Sequence, residues 1–200
     1  MALTGIALVG YSVVHLIGNL TFYRDAEGAA FDAYAEALVE NPLLPVAEIA
    51  LALLFLVHIA LGVRLSLANR EARRQPLRVR ASKGERTLGS SSMLVTGLVL
   101  LVFLVIHVWD FRAPRLFGHA EESLAAVVKQ RLGEPLGASI YLLGVAALGV
   151  HVSHGFQSAF QTLGVNHPKL TPWLRKLGLA LAVVLFVGFA SFPLYCLAVA

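Results

Sequence analysis

The sequence predicts an all-α integral membrane protein with five transmembrane helices, the first four forming a four-helix bundle within one domain spanning residues 1–200. Three observations lead there. Hydrophobic residues make up 58% of the 200-residue chain and charged residues only 14%, whereas soluble domains carry about a quarter charged residues. Five stretches, 2–22, 43–68, 88–110, 135–163 and 172–199, reach the length of about 20 apolar residues that a helix needs to cross about 30 Å of hydrocarbon. Of the seven histidines, five fall in the first four stretches and none in the fifth.

The first span has no charge before Arg24. Its apolar run is too long for an ordinary signal peptide and lacks the basic start of one. The segment 24–41 that follows has one Arg against five acids, and its Phe31, Tyr34 and Leu38 spacing predicts a short amphipathic helix on the outer surface. Span two carries Glu48 near its start, placed to relay a proton or simply to favour the helix N-terminus. Residues 69–87 hold seven Lys/Arg and two acids. Segment 111–134, between spans three and four, is balanced in charge. The link 164–176 adds Lys169, Arg175 and Lys176 with no acid. Basic loops stay in the cytoplasm, so the N-terminus lies inside and the C-terminus outside a bacterial cytoplasmic membrane. The single Cys196 excludes a disulfide framework, and there is no CxxC pair for zinc or an iron–sulfur cluster. No GxGxxG or Walker-type loop occurs, and nucleic acid is not an expected partner.

The histidines separate by depth. His119 and His167 fall in loops. Counting along each span, His15 lies roughly 8–10 Å below the outer surface and His107 roughly 5 Å. His58 and His151 lie roughly 22 and 24 Å down. These make an outer pair, His15 with His107, and an inner pair, His58 with His151. Two imidazoles from facing helices suit a six-coordinate b-type haem, which has no open iron position and serves electron transfer. The expected architecture is thus a haem-binding bundle with two haems at different depths. Each ring N–H is expected to reach the carbonyl four residues back, at Tyr11, Leu54, Phe103 and Ala147. Gly18, Gly62 and Gly155 follow His15, His58 and His151 by about one turn and leave room for a flat macrocycle, or else serve ordinary small-residue helix packing. His154, roughly 28 Å down, sits near the headgroups, where it meets water, a haem propionate or a partner; depth favours His151 as the ligand.

Several motifs carry a resemblance: "MALTGIAL" leading into "HLIGNL", "AFDAYAEAL", "AEIALALLFLVHIALGVR", "SSSMLVTG" leading to "HVWDF", "HVSHGFQSAFQTLG" and "NHPKLTP". In this order and spacing, over nearly the whole chain, the sequence resembles the cytochrome b membrane-anchor subunit of succinate dehydrogenase and fumarate reductase, in its single-polypeptide, five-helix, two-haem form. The resemblance implies outer-haem ligands from helices one and three, and inner-haem ligands from helices two and four. In the fourth-helix motif the ligand is the histidine four before the glycine, which is His151. Arg64 matches a basic position near an inner haem propionate, with Ser91 or Ser92 and Thr96 as neighbours; alternatively it is an arginine snorkelling to the interface. Family members usually carry a short cytoplasmic segment before the first helix, whereas this chain starts almost within it.

The resemblance further implies a flavoprotein subunit (FAD) and an iron–sulfur subunit docked on the cytoplasmic loops around 69–87 and 166–172, although the basic run serves equally as a topology signal. It implies electron transfer to a quinone, usually menaquinone, with no dicarboxylate active site in this chain. Candidate quinone residues are Asn19, Tyr23, Glu36 and Glu40. Two rivals are a diheme anchor of another quinone-linked dehydrogenase, such as a hydrogenase or formate dehydrogenase, and a transporter using histidines for metal or protons. The transporter reading is the weaker, because Glu48, with Asp110 at an edge, is the only acid clearly within a span.

Overall fold

The protein is described by a computed structural model covering residues 1–72, 88–118 and 123–200. The basic run beyond Ala72, His119 and the side chain of Ser91 lie outside the described residues. Five long helices carry the apolar stretches. They are α1 (Ala2–Asn19), continued by a 3-10 turn (Leu20–Tyr23), α3 (Leu44–Ala72), α4 (Leu88–Phe111), α7 (Pro135–Thr162) and α8 (Leu170–Val199). Between them lie α2 (Ala29–Val39), the single turn α5 (Ala113–Leu116) and α6 (Leu124–Gly133). All regular structure among the described residues is helical. The expected spans hold to within a few residues at their ends. At 30 residues, α8 is about 45 Å long and exceeds the hydrocarbon thickness, so it tilts or projects from it.

Helices α1, α3, α4 and α7 close a ring in which each packs on the next, and α8 lies outside against α7 and α1. The packing is uneven. The densest contact is α7 on α8, where Val152, Ala182 and Leu185 are buried. No described residue of α3 is buried, so its face toward the ring is only loosely filled. The outward faces are apolar, as lipid requires. Trp109 and Trp173, both 70% exposed, stand at opposite ends of the bundle, where indole rings favour the water–lipid interface.

The end of the bundle that the charge pattern assigns to the outside, called the outer end below, differs from the sequence expectation in two ways. The expected α2 forms, but it packs on protein instead of lying on the membrane surface. Phe31 is buried against Phe22, with ring centroids 5.6 Å apart, while Leu38 is exposed. The segment 111–134, expected as a loop, contains α6, whose Ala125, Val128 and Leu132 are buried. Its start is capped twice: Ala126 N–H donates to Ser123 Oγ at 3.0 Å and Ala125 N–H to Asp32 Oδ1 at 2.9 Å. The second bond comes from α2, so the two short helices fold as one outer layer. Lys129 Nζ adds to it by donating to the Ala26 carbonyl at 2.7 Å. A weak apolar stripe too short to stand alone becomes a helix because tertiary contacts complete its first turn.

Asp25 starts α2. Its carboxylate accepts from the N–H groups of Gly28, Ala29 and Ala30 at 2.5, 2.8 and 2.9 Å. The bonds from Ala30 and Ala29 above all hold its pKa below the usual 3.8. A carboxylate depressed on folding stabilises above its unfolded pKa and loses that effect as pH falls through the folded value. We therefore expect Asp25→Asn to speed amide exchange at Gly28–Ala30 at neutral pH, with the difference from wild type vanishing in strong acid. Hydrogen exchange read by mass spectrometry at matched intrinsic rates checks this.

Candidate functional site

The ring of α1, α3, α4 and α7 brings four histidines together in two pairs. His15 on α1 faces His107 on α4, with ring centroids 5.8 Å apart and planes at 89°. His58 on α3 faces His151 on α7 at 6.4 Å and 69°. Two imidazoles sharing one metal, with metal–nitrogen bonds of about 2 Å, have centroids about 6 Å apart. Among the described residues no group of three or more His, Cys, Asp or Glu converges. Each pair thus offers two nitrogens only, the donor set of a centre whose remaining ligands come from a macrocycle. The residues fit haem on that ground.

What holds the rings differs from expectation. In the inner pair the ring contacts are to side chains of neighbouring helices rather than to the carbonyls one turn back. Thr4 Oγ1 lies 3.0 Å from His58 Nδ1 and donates to the Met1 carbonyl at 2.8 Å. Thr96, buried on α4, lies 3.1 Å from His151 Nδ1 through Oγ1, which is 3.0 Å from the Ser92 carbonyl and 3.2 Å from that of Met93. In the outer pair, His15 Nδ1 is 3.4 Å from Asn19 Nδ2, which donates at 2.6 Å to the His15 carbonyl. His107 Nδ1 is buried with no partner among the described residues. An unmet buried polar atom costs about 1–3 kcal/mol.

The expected glycines have other neighbours. A Cβ at Gly18 would overlap the Tyr34 ring, so this glycine admits α2 against α1. Cβ atoms at Gly62 and Gly155 would meet Met1 at 3.4 Å and Met93 at 3.7 Å. The glycines that face imidazoles are Gly5 and Gly97, where an added Cβ would lie 3.4 Å from His58 Cε1 and 3.6 Å from His151 Cε1. Thr4, Gly5 and Gly97 were missed, although a signal exists. "MALTGIALVGYSVVH" and "MLVTGLVLLVFLVIH" (1–15 and 93–107) align Met, Thr, Gly and His position for position.

Of the remaining candidates, Ser92 is half-buried beside this site, Arg64 is exposed on α3, and His154 is half-buried one turn beyond His151. Tyr23 turns to α8, where its Oη is 2.7 Å from Ser191 Oγ and its ring packs on Phe192. Glu36 and Glu40 are exposed on α2. Two ion pairs sit near the outer histidines. Arg112 grips Glu48 with two bonds, 2.6 and 3.0 Å. Asp110 accepts from Arg131 Nε at 2.8 Å and from Tyr141 Oη at 3.0 Å, and the Tyr141 ring lies 6.0 Å from that of His107. Tyr11 stacks on His15 at 5.5 Å.

Comparison with known proteins places the chain beside respiratory membrane subunits. The family model for the succinate dehydrogenase/fumarate reductase transmembrane subunit matches residues 1–81 and 67–191. The chain is 26% identical over 193 residues to the succinate dehydrogenase cytochrome b558 subunit of Bacillus subtilis (strain 168), covering 94% of this chain and 87% of that protein. No solved structure matches.

Phe103 sets the azimuth of α4, one turn before His107, with their ring centroids 5.9 Å apart. Its ring fills the space left by the missing side chain of Gly144 on α7. Gly144→Ala is expected to overpack this contact at a cost of about 1–3 kcal/mol, lowering the thermal midpoint in detergent. Phe103→Leu in the same chain should recover much of the loss.

Proposed function

Because the chain belongs to the succinate dehydrogenase/fumarate reductase transmembrane-subunit family and is a multi-pass membrane anchor, we propose that it binds two b haems and links succinate oxidation or fumarate reduction to a quinone. The observation that carries this reading is the pairing of His15 with His107 and His58 with His151 at centroid separations suited to a shared iron. When bound, the haems supply one-electron carriers at two depths between an iron–sulfur subunit and the quinone.

The residues' own tasks follow. His15 and His107 bind the outer haem, and His58 and His151 the inner one. Arg64, on the inner half of α3, serves an inner propionate, with Ser92 of the adjacent α4 beside it and Ser91 as a further candidate. The quinone, menaquinone in this reading, binds near the outer pair. Asn19 and Tyr23 lie at that end of α1, with Glu36 and Glu40 on α2 as further candidates. Glu48, held by Arg112, is positioned to exchange a proton with that site. The flavoprotein and iron–sulfur subunits dock on the cytoplasmic side, around 69–87 and 166–172. The positive loop charge supports an inside N-terminus and an outside C-terminus in a bacterial cytoplasmic membrane. The same family membership argues against a hydrogenase or formate dehydrogenase anchor and against a transporter.

A pyridine haemochrome assay with haem quantified per chain tests the proposal in the purified membrane protein. About two b haems per chain are expected. His58→Ala and His151→Ala should each lose one, while His154→Ala keeps both. Folded protein without haem would overturn the reading.

A further inference from the structure

The self-similarity of α1 and α4 places a second function on each helix. Thr4 and His15 are eleven residues apart, as are Thr96 and His107. Eleven residues make about three turns, or about 16 Å of rise, so threonine and histidine share one face. Each helix thus offers a histidine to the outer pair and a threonine to the inner pair. The partner helices repeat in step, with Gly62 four after His58 and Gly155 four after His151.

A hydroxyl carries one proton. That of Thr4 is committed to the Met1 carbonyl at 2.8 Å, and that of Thr96 to its own helix at the Ser92 carbonyl, 3.0 Å away. Toward the imidazoles, 3.0 and 3.1 Å away, both oxygens then stand as acceptors, the role that ligation of iron through Nε2 asks of them. The acceptor role requires a proton on Nδ1 of His58 and of His151. In a neutral imidazole that leaves Nε2 with its lone pair bare. Gly5 and Gly97, each next to its threonine, keep the helix backbone close to the ring edges.

We infer that Thr4 and Thr96 are positioning residues for the inner haem, fixing the tautomer of His58 and His151 and making both ligands more electron-donating. The inference rests on the reading of those histidines as haem ligands. An acceptor on Nδ1–H raises ligand basicity, which favours ferric over ferrous iron and lowers the reduction potential. Among the described residues the outer pair has no matching acceptor. His107 Nδ1 has no partner, and the contact of His15 Nδ1 is a distant amide nitrogen. The outer haem is therefore an internal control.

The test is a potentiometric titration of the complex purified from membranes, with low-spin ferric EPR, comparing wild type with Thr4→Val, Thr96→Val, Thr4→Ser and Thr96→Ser. Valine keeps the shape and removes the acceptor; serine keeps the acceptor. In the valine variants the transition lost in His58→Ala should move to higher potential with an altered EPR g value. The other transition should stay in place, and serine should restore the wild-type position. Selective loss of the inner haem in the valine variants, regained with serine, supports the same role. Valine variants that keep two haems with both potentials and g values unchanged would overturn the inference while leaving the ligands intact. A full haem complement in His58→Ala would instead overturn the ligand reading itself.

Discussion

A polar ring placed in hydrocarbon must find its partners inside the protein, and this requirement organises the bundle. Nothing outside the protein can satisfy an imidazole at the depth of His58 or His151. Each is met by a hydroxyl from the neighbouring helix, Thr4 from α1 and Thr96 from α4. Those hydroxyls stand where they do because a three-turn register fixes them beneath His15 and His107. The ring of four helices can then carry two polar levels without a polar stripe on its lipid-facing surface.

Packing density follows the same logic. The apolar core is concentrated where α7 meets α8 and beneath the outer layer, around Leu185, Tyr141, Phe22 and Ala125. The face between α3 and its neighbours is loose, with His58 and His151 projecting into it. The ring thus has an incompletely filled middle, and α8 supplies rigidity from outside by bracing α7. Glycines take part by admitting aromatic rings, Tyr34 at Gly18 and Phe103 at Gly144. They do so where α2 meets α1 and where α4 meets α7.

The outer end is held by charge as well as packing. Glu48 and Tyr141 each stand ten residues before the inner-pair histidine of their own helix, and each is tied to α4 or to the residue after it: Glu48 to Arg112, Tyr141 to Asp110. The partly exposed Glu48–Arg112 pair is worth little as stability, about 0–1 kcal/mol. The contribution of both contacts is geometric, since they lock the end of α4, and with it His107, against α3 and α7. Arg131 extends the second network to α6, so the outer layer bears on the histidine level beneath it.

Much of this was legible in the one-dimensional order of residues. Span number and length follow from summed hydropathy. Histidine depth follows from counting residues at a constant rise, so the partners 15 with 107 and 58 with 151 emerged without coordinates. The missed elements depend on azimuth and on contacts between distant segments. Residues 124–133 carry too weak a stripe to announce α6, and its first turn is completed by Asp32 from the far side of the chain. Gly18, Gly62 and Gly155 have the right spacing from their histidines, but helix rotation turns them toward Tyr34, Met1 and Met93, while Gly5 and Gly97 face the rings. Sequence by itself determined the membrane class, the five spans and the two levels of histidine, because depth and burial in lipid are properties of each helix alone. Tertiary structure decided which hydroxyl holds which imidazole and which acid meets which arginine, because those bonds exist only once two helices share a rotation and a separation.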